Sequence, residues 1–588
     1  MRQFLILLFF PFSLLGQVNF TTSNLPIVVI NTNSQTIMDD PRIVCDMCII
    51  DNGFGTINSI SDPFNDYNGK ISIEYRGSSS QSFPKKSYAL ETQDSLGNNN
   101  NVSLLGMPVE NDWILYAPYT DKSLMRNFLT FDLGRKMGHY APRTVYCELV
   151  INGDYKGIYI LMEKIKRDNN RLDIAKLDAD DLAGDSLTGG YIIKVDKYTG
   201  TGGADWLSDF PKIGDGSLYI QYHYPEANVL LPQQLDYIEH FVDSFEYALA
   251  GPNFADTSIG YAKYIDVNSF IDLYIINELS RNIDGYRLST YLHKDKQSRG
   301  GKLTMGPFWD FNLAFGNSEN CSGGLTSGWE VNGGCGGNNP FWFERLLEDN
   351  NYHKKLKSRW KYLRDRSFHQ DSLFNFIDSM ALYLNDAQQR NFQQWPILGN
   401  YVWPNYYVGD TYQDELNFFK TWISSRLQWI DNNIACNYNS RPLWAASSNN
   451  STSYDTLTAC DNYIWNGTTY DSSGIHTFST TNSIGCDSTA TLNLTINPST
   501  TKIIKIPKSD SYTWNRTTYP KDGVNTFVTT NANGCDSTVY LNFRIDSSIN
   551  KTLLKITDLL GRETKGTKNE ILFYIYNDGT VEKRIIIE

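Results

Sequence analysis

The 588-residue chain is short of positive charge: 52 lysines and arginines face 65 acidic residues, for a formal net charge of −13. A broad nucleic-acid-binding face needs basic clusters to neutralise phosphates, so that class of partner is excluded. Local exceptions such as Lys85-Lys86 read as a solvated strand end. Long apolar runs are lacking too. After residue 16 no stretch reaches the ~20 uncharged residues of a membrane span, so the mature chain is expected to carry no transmembrane segment. Histidine is scarce, at seven, and none stands at metal-ligand spacing from the C-x-x-C pair Cys45 and Cys48. With no second C-x-x-C to complete a zinc site, that pair reads as a local disulfide or two idle thiols. A dinucleotide fingerprint is absent as well, because Asp205 stands where Gly200-Thr-Gly202-Gly203 needs its third glycine.

What is present begins at the N-terminus. Arg2 precedes the apolar run Phe4 to Phe12, and Ser13-Leu-Leu-Gly16 leads to Gln17. That is the layout of a secretory signal peptide over residues 1–16. Nine cysteines suit an oxidising destination. Cys321 and Cys335 bracket a Gly-rich loop and read as a disulfide staple.

The chain is too long for one ordinary core, so several domains are expected. Strand patterns dominate the first ~200 residues, including a hairpin of Val145–Ile151 and Tyr155–Met162 around Asn152-Gly153. Helical spacing then takes over: Leu235, Ile238, Val242, Phe245 and Leu249 mark one face, and Phe270, Ile271, Tyr274, Ile275 and Leu279 another. A strand pair interrupts near 289–306. This is an α+β, two-lobed pattern over residues 17–440.

Composition shifts after Arg441, and residues 441–453 read as a flexible linker. An internal repeat follows with a 49-residue period. Tyr463-Ile-Trp465-Asn-Gly-Thr-Thr-Tyr470 returns as Tyr512-Thr-Trp514-Asn-Arg-Thr-Thr-Tyr519, and Gly485-Cys486-Asp487 returns as Gly534-Cys535-Asp536. The two copies, 454–498 and 502–546, are expected to be small β-sandwich-like modules. Cys460 is positioned to pair with Cys486 in the first copy; Ser509 replaces Cys460 in the second, which leaves Cys535 as the expected orphan thiol. Residues 549–588 form one more β unit. Its Asp558-Leu-Leu-Gly561-Arg562-Glu563 run and Asp578-Gly579-Thr-Val-Glu-Lys583-Arg584 ending resemble the C-terminal sorting domain of type IX secretion cargo in Bacteroidetes. The resemblance implies type IX machinery as a partner, passage across the outer membrane, and a secreted or cell-surface location.

The chemistry concentrates between Asp284 and Asp310. Asp284 follows an apolar helix, Asp310 follows the strand pair, and a hairpin returns its ends to one place. Two carboxylates held together repel, and a hard cation such as Mg²⁺ relieves this. Phosphoryl transfer uses such a pair, one aspartate serving the acceptor hydroxyl and the other the metal. Glycosidases use paired carboxylates too, and a helix cap with a turn aspartate is the plain structural alternative. Upstream, Arg76-Gly-Ser-Ser-Ser80 places a Gly/Ser turn before Lys85 and Lys86, a possible phosphate cradle.

Taken in order, Arg76-Gly-Ser-Ser-Ser80, Phe83-Pro-Lys-Lys-Ser-Tyr88, Asp112-Trp113, Leu124-Met-Arg126-Asn127, Gly157-Ile-Tyr-Ile-Leu-Met-Glu163-Lys164 and Trp309-Asp-Phe-Asn-Leu-Ala-Phe-Gly316 resemble the CotH family of atypical protein kinases. The resemblance implies a divergent kinase-like fold, ATP with Mg²⁺ or Mn²⁺ as cofactors, and transfer of phosphate to a protein serine or threonine. On that resemblance Asp284 is the catalytic aspartate and Asp310 the metal ligand. Arg76, Lys86 and Glu163 lie near the nucleotide, and Ser289 and Asn312 complete the metal shell. Many family members carry Asp and Asn where this chain has Asn312 and Ser289. Those replacements, with the tandem β-modules and the sorting-like unit, point to the alternative of a weak or inactive kinase-like surface scaffold or adhesin.

Overall fold

The structure, a computed structural model, describes residues 18–198, 205–210, 217–333, 335, 339–434, 451–481, 487–506, 512–514, 517–519, 523–543, 552–565, 570–577 and 579–585. It is a mixed α+β protein that divides into two compact units, Met1–Asn439 and Ser440–Glu588.

The first unit opens with seven strands: β1 (Ile27–Asn31), β2 (Ile43–Ile50), β3 (Tyr67–Arg76), β4 (Ser87–Gln93), β5 (Asp112–Tyr116), β6 (Thr144–Ile151) and β7 (Asp154–Glu163). They close into a barrel in the order β1-β2-β3-β4-β5-β7-β6, shut by parallel pairing of β1 with β6. The period of two along each strand sorts the side chains. Cys45, Met47 and Ile49, then Ile71 and Ile73, Leu90, Trp113 and Leu115, Leu149, and Tyr159 and Leu161 belong to one core. Alternate residues Ile114, Tyr146, Ile158, Ile160 and Met162 belong to a second, larger core with the helices. The same alternation settles the C-x-x-C pair. Three residues apart on β2, Cys45 and Cys48 face opposite sides, and both are free thiols.

Lys85 departs from the sequence expectation. Rather than ending a strand in solvent, it is buried, and its Nζ donates to the Ile158 carbonyl at 2.6 Å and to Asn391 Oδ1 at 2.8 Å. Burial pulls its pKa down to about 7.

Between β5 and β6 lies α1 (Arg126–Lys136). A second sheet follows, built from β8 (Tyr191–Val195), β9 (Asp205–Leu207), β10 (Tyr219–Tyr224), β11 (Thr290–Lys294) and β12 (Leu303–Met305), ordered β9-β10-β8-β11-β12. The helices are α2 (Pro232–Ala250), α3 (Val267–Ser280), α4 (Trp342–Leu347), α5 (Asn350–Arg364), α6 (Gln370–Tyr383), α7 (Asn385–Gln394) and α8 (Tyr412–Asn433). Helix α3 is central. Asp266 caps its start, and every residue from Ser269 to Ser280 is buried. It stops at Arg281 in the left-handed region, which turns the chain toward Asp284. No helix among the described residues is long and apolar enough to cross a membrane.

In the second unit each repeat is a three-stranded sheet with a two-stranded ribbon, and in the first copy Trp465 and Tyr470 of the ribbon meet Phe478 and His476 of the sheet. The first copy contains β13 (Ser451–Cys460), β14 (Tyr463–Trp465), β15 (Thr468–Tyr470), β16 (Gly474–Thr481) and β17 (Asp487–Asn497). The second contains β18 (Thr500–Ile506), β19 (Tyr512–Trp514), β20 (Thr517–Tyr519), β21 (Gly523–Thr530) and β22 (Asp536–Phe543) with the same pairing. The last strands, β23 (Leu553–Thr557), β24 (Ile571–Tyr576) and β25 (Val581–Ile585), form an antiparallel sheet.

The disulfide pairing corrects the sequence expectation. Cys321 joins Cys335, but Cys460 joins Cys535 of the next repeat. Parallel pairing explains this. Strands β13 and β17 match Ser451 with Ser488 and Cys460 with Asn497. Cys460 therefore ends roughly 30 Å from the start of β17, beside Asn497, whose carbonyl also meets Cys535 Sγ at 3.3 Å. Cys486 lies outside the described residues. Non-reducing peptide mapping of the oxidised chain should return a Cys460–Cys535 peptide; a Cys460–Cys486 peptide would refute the pairing. The bridge spans 75 residues. Cys460→Ser should therefore lower the stability of this unit by roughly 2–4 kcal/mol, read by calorimetry.

Candidate functional site

A cleft of about 330 Å³ opens between the rim of the barrel and the ends of the inner strands of the second sheet. Its barrel wall is Arg76, the last residue of β3, and Ser87, the first of β4, with the Gly77–Ser80 turn between them. Gly77 is at φ +113°, and a Cβ there would sit 1.9 Å from Ser80 Oγ, so only glycine permits this turn. The opposite wall carries Lys194, Asp196 and Lys197 from the end of β8, Asp284 and Ser289 before β11, and Asp310 and Asn312 after β12.

Five of the seven residues singled out in the sequence thus meet in one cleft: Arg76, Asp284, Ser289, Asp310 and Asn312. Lys86 and Glu163 are not among its walls. Lys86 donates to the Gln81 carbonyl and braces the Ser-rich turn from behind. Glu163 is fully buried, accepting from the Arg143 backbone at 2.9 Å and its guanidinium at 2.8 Å, and from the Tyr140 hydroxyl at 3.2 Å. Lys194, Asp196 and Lys197 are cleft residues that sequence reasoning misses, because their strand β8 is otherwise apolar and buried. The available signal was the charged Lys194-Val-Asp196-Lys197 at its end.

Backbone restraint fixes both aspartates. Asp310 holds φ +64°, Ser289 +47° and Tyr286 +67°, left-handed values that side chains rarely adopt. The Phe311 amide donates to Asn127 Oδ1 at 2.7 Å, the Phe315 amide to the Ser280 carbonyl at 2.6 Å, and Asn317 Nδ2 to the Asn312 carbonyl at 2.7 Å. Arg126, paired in the core with Asp121, reaches the Phe315 carbonyl. Asp284 is anchored by Arg287 Nη2 at 2.6 Å.

Below this floor lies Glu278 on α3. It accepts from the Tyr286 hydroxyl at 3.0 Å, from the amides of Glu330 and Val331 at 2.8 Å each, and from Arg426 of α8 at 3.1 Å. Arg281 and Arg426 also donate to the Gly328 carbonyl, which binds the Cys321–Cys335 loop to the same hub.

The electrostatics are those of crowded carboxylates. Burial, reinforced by the charges of Asp284 and Asp196, pushes the Asp310 carboxyl up to about 6; Arg76 and the Ser289 hydroxyl pull the other way. Asp284 is also raised, by burial first and then by Asp196, against Arg287 and Lys197. Opposite them, the Arg76 guanidinium lies 5.4 Å from the Trp309 ring, and burial lowers its pKa. No three His, Cys, Asp or Glu side chains among the described residues form a metal-holding group. Mg²⁺ nevertheless fits the donors present, since it takes one or two carboxylates and completes its octahedron with substrate phosphates and water. Asp310, Asn312 and Ser289 would supply the protein's oxygens, and the charge would reverse the rise at Asp310. A larger groove of about 550 Å³ near Val18, Phe20 and Tyr155 has no comparable cluster of charges.

Residues 73–430 match the family described as CotH kinase protein. The inner spore coat protein H of Bacillus subtilis (strain 168) is 30% identical over 95 residues, which cover 16% of this chain and 24% of that protein.

The raised Asp310 predicts a pH effect. Its ordinary value is 3.8 and its folded value about 6, so the folded state binds the proton more tightly. The stabilisation is complete below the unfolded pKa and is lost as pH rises through about 6. Asp310→Asn should gain stability over the native chain by up to about 3 kcal/mol near pH 7.5 and by little near pH 4. Thermal unfolding at both pH values checks this, and an equal shift at each would contradict it.

Proposed function

The chain belongs to the CotH kinase protein family, and on that premise we propose that its cleft transfers the γ-phosphoryl group of ATP to a serine or threonine hydroxyl of a protein. The observation that carries this reading is the placement of Asp284 and Asp310 on one wall, with Arg76 and the Gly77–Ser80 turn on the other. Phosphoryl transfer needs little covalent chemistry from the protein; it needs position and charge.

The residues divide the work. Asp284, its carboxyl raised and its position fixed by Arg287, orients the acceptor hydroxyl and takes its proton as oxygen bonds to the γ-phosphorus. The bond to the β–γ bridging oxygen breaks and ADP leaves. Arg76 and the amides of the Ser-rich turn face the phosphates. Lys86 keeps that turn in shape, and Glu163 acts at a distance by fixing Arg143 and the end of β7. Mg²⁺ or Mn²⁺, held by Asp310 with Asn312 and Ser289, would neutralise the phosphate oxygens. An amide at Asn312 keeps an oxygen donor but no charge, so weak metal affinity is part of the proposal.

The protein is further proposed to act outside the cell. Residues 1–16 would direct export and 549–588 would engage the type IX machinery, leaving the chain secreted or at the surface.

Two measurements test these points. With Mg²⁺ or Mn²⁺, the purified full chain should move label from γ-labelled ATP to protein serine or threonine. Asp284→Asn and Asp310→Asn should each lower the rate by about 10²–10⁴-fold. Absence of nucleotide binding in calorimetry would end the proposal. Separately, sequencing of the exported protein should find Gln17 as its first residue; retention in the cell with Met1 intact would refute export.

A further inference from the structure

A second depression, of about 420 Å³, shares no lining residue with the cleft. Around it stand Arg135 at the end of α1, Tyr140 and Arg143 before β6, and Asn169, Asn170 and Arg171 after β7. Three guanidiniums about one hollow are unexpected in a chain of net charge −13.

The partners of these groups show what is satisfied. Arg171 is buried and committed, donating to the carbonyls of Lys164 at 3.0 Å and Asp112 at 2.8 Å and pairing with Glu110 at 3.1 Å. Glu163, beneath the hollow, already serves Arg143, Arg171 and Tyr140. Arg135 is different. It donates to the Pro142 carbonyl at 2.6 Å, and its carboxylate neighbour Asp132 lies 4.0 Å away and is held by Lys136 at 2.7 Å. The side chains of Arg135 and Arg143 are 32% and 39% exposed, so both present cationic surface to the hollow. Burial lowers the Arg135 pKa and the charge of Arg143 lowers it further, against Asp132. Arg143 commits Nη1 to Glu163 and to the Asn170 carbonyl, each at 2.8 Å, so the guanidinium without a close carboxylate is that of Arg135; an anion in the hollow would pair with it, and guanidinium forks match a tetrahedral oxyanion in geometry.

We propose that this depression binds a phosphomonoester, the phosphate of a phosphorylated serine or threonine side chain, through Arg135 and Arg143, with the amides of Asn169 and Asn170 at its rim. A compact dianion suits the Arg135 fork with a second guanidinium, that of Arg143, lining the same hollow. An extended polyanion would need a continuing basic stripe, but Lys166 is tied to Glu110 and Asp112, and Lys164 to Asp112. If the cleft transfers phosphate, the site would hold an acceptor that already carries one; the binding itself does not depend on that reading.

The test is calorimetric titration of the full chain with a phosphoserine peptide and with the same peptide unphosphorylated, followed by competition with inorganic phosphate. The phosphopeptide should bind at least about tenfold more tightly than its unmodified form. Arg135→Gln should weaken it about tenfold, as should Asn169→Asp, which places a negative charge on an exposed residue of the loop after β7. Arg76→Gln, in the other cleft, should leave it unchanged. Competition by inorganic phosphate would show that the anion alone is recognised; its absence, with Arg135 still required, would show that the peptide-borne group is. Equal binding of the two peptides, or a loss that follows Arg76→Gln and not Arg135→Gln and Asn169→Asp, would overturn the proposal.

Discussion

Glu278 is the point from which the cleft is built. A buried carboxylate is tolerated only with partners, and this one has four donors from three separate parts of the chain. Each partner sets a boundary. Tyr286 fixes the segment that carries Asp284. The amides of Glu330 and Val331 fix the disulfide-stapled loop. Arg426 fixes α8 against α3. Removing one member of such a buried pair costs about 3–5 kcal/mol because the other charge is left stranded. The left-handed residues above it, Tyr286, Ser289 and Asp310, persist because this packed floor over-determines them.

The floor in turn forces an unfavourable charge arrangement. Asp196, Asp284 and Asp310 are brought together; Lys194 of the same wall pairs with Asp196 at 2.8 Å, while the cation acting on Asp310 is Arg76, from the barrel. The cleft is thus electrostatically loaded, with one carboxyl near 6 and another raised. Such loading is the expected mark of a site built to meet a cation and an anion together.

Much of this was legible in the sequence, for physical reasons. Helices α2 and α3 announced themselves by spacing, and the β6–β7 hairpin by its Asn-Gly turn. Asp284 and Asp310 could be joined because a local hairpin separates them. What remained hidden depends on non-local pairing. Asp196 reaches the cleft because β8 lies beside β11, with Val195 opposite Thr290; no local pattern encodes that neighbour. Lys85 looks like a solvated charge until the Ile158 carbonyl and Asn391 are seen around its ammonium. Glu163 and Lys86 stand in a motif with the cleft residues, yet they act on the scaffold behind it. The cysteine pairing was misread because a repeat suggests self-contained units, whereas the parallel β13–β17 pair carries Cys460 to the far end of its sheet.

The Cys460–Cys535 bridge has a mechanical consequence. Tension drawn along the second unit enters at β13 and leaves through β22, and the covalent shortcut carries it past everything between. The 75 residues enclosed are shielded from extension. Cutting the bridge would release roughly 250 Å of hidden contour length. Under load the unit is therefore less extensible with the bridge closed than with it reduced.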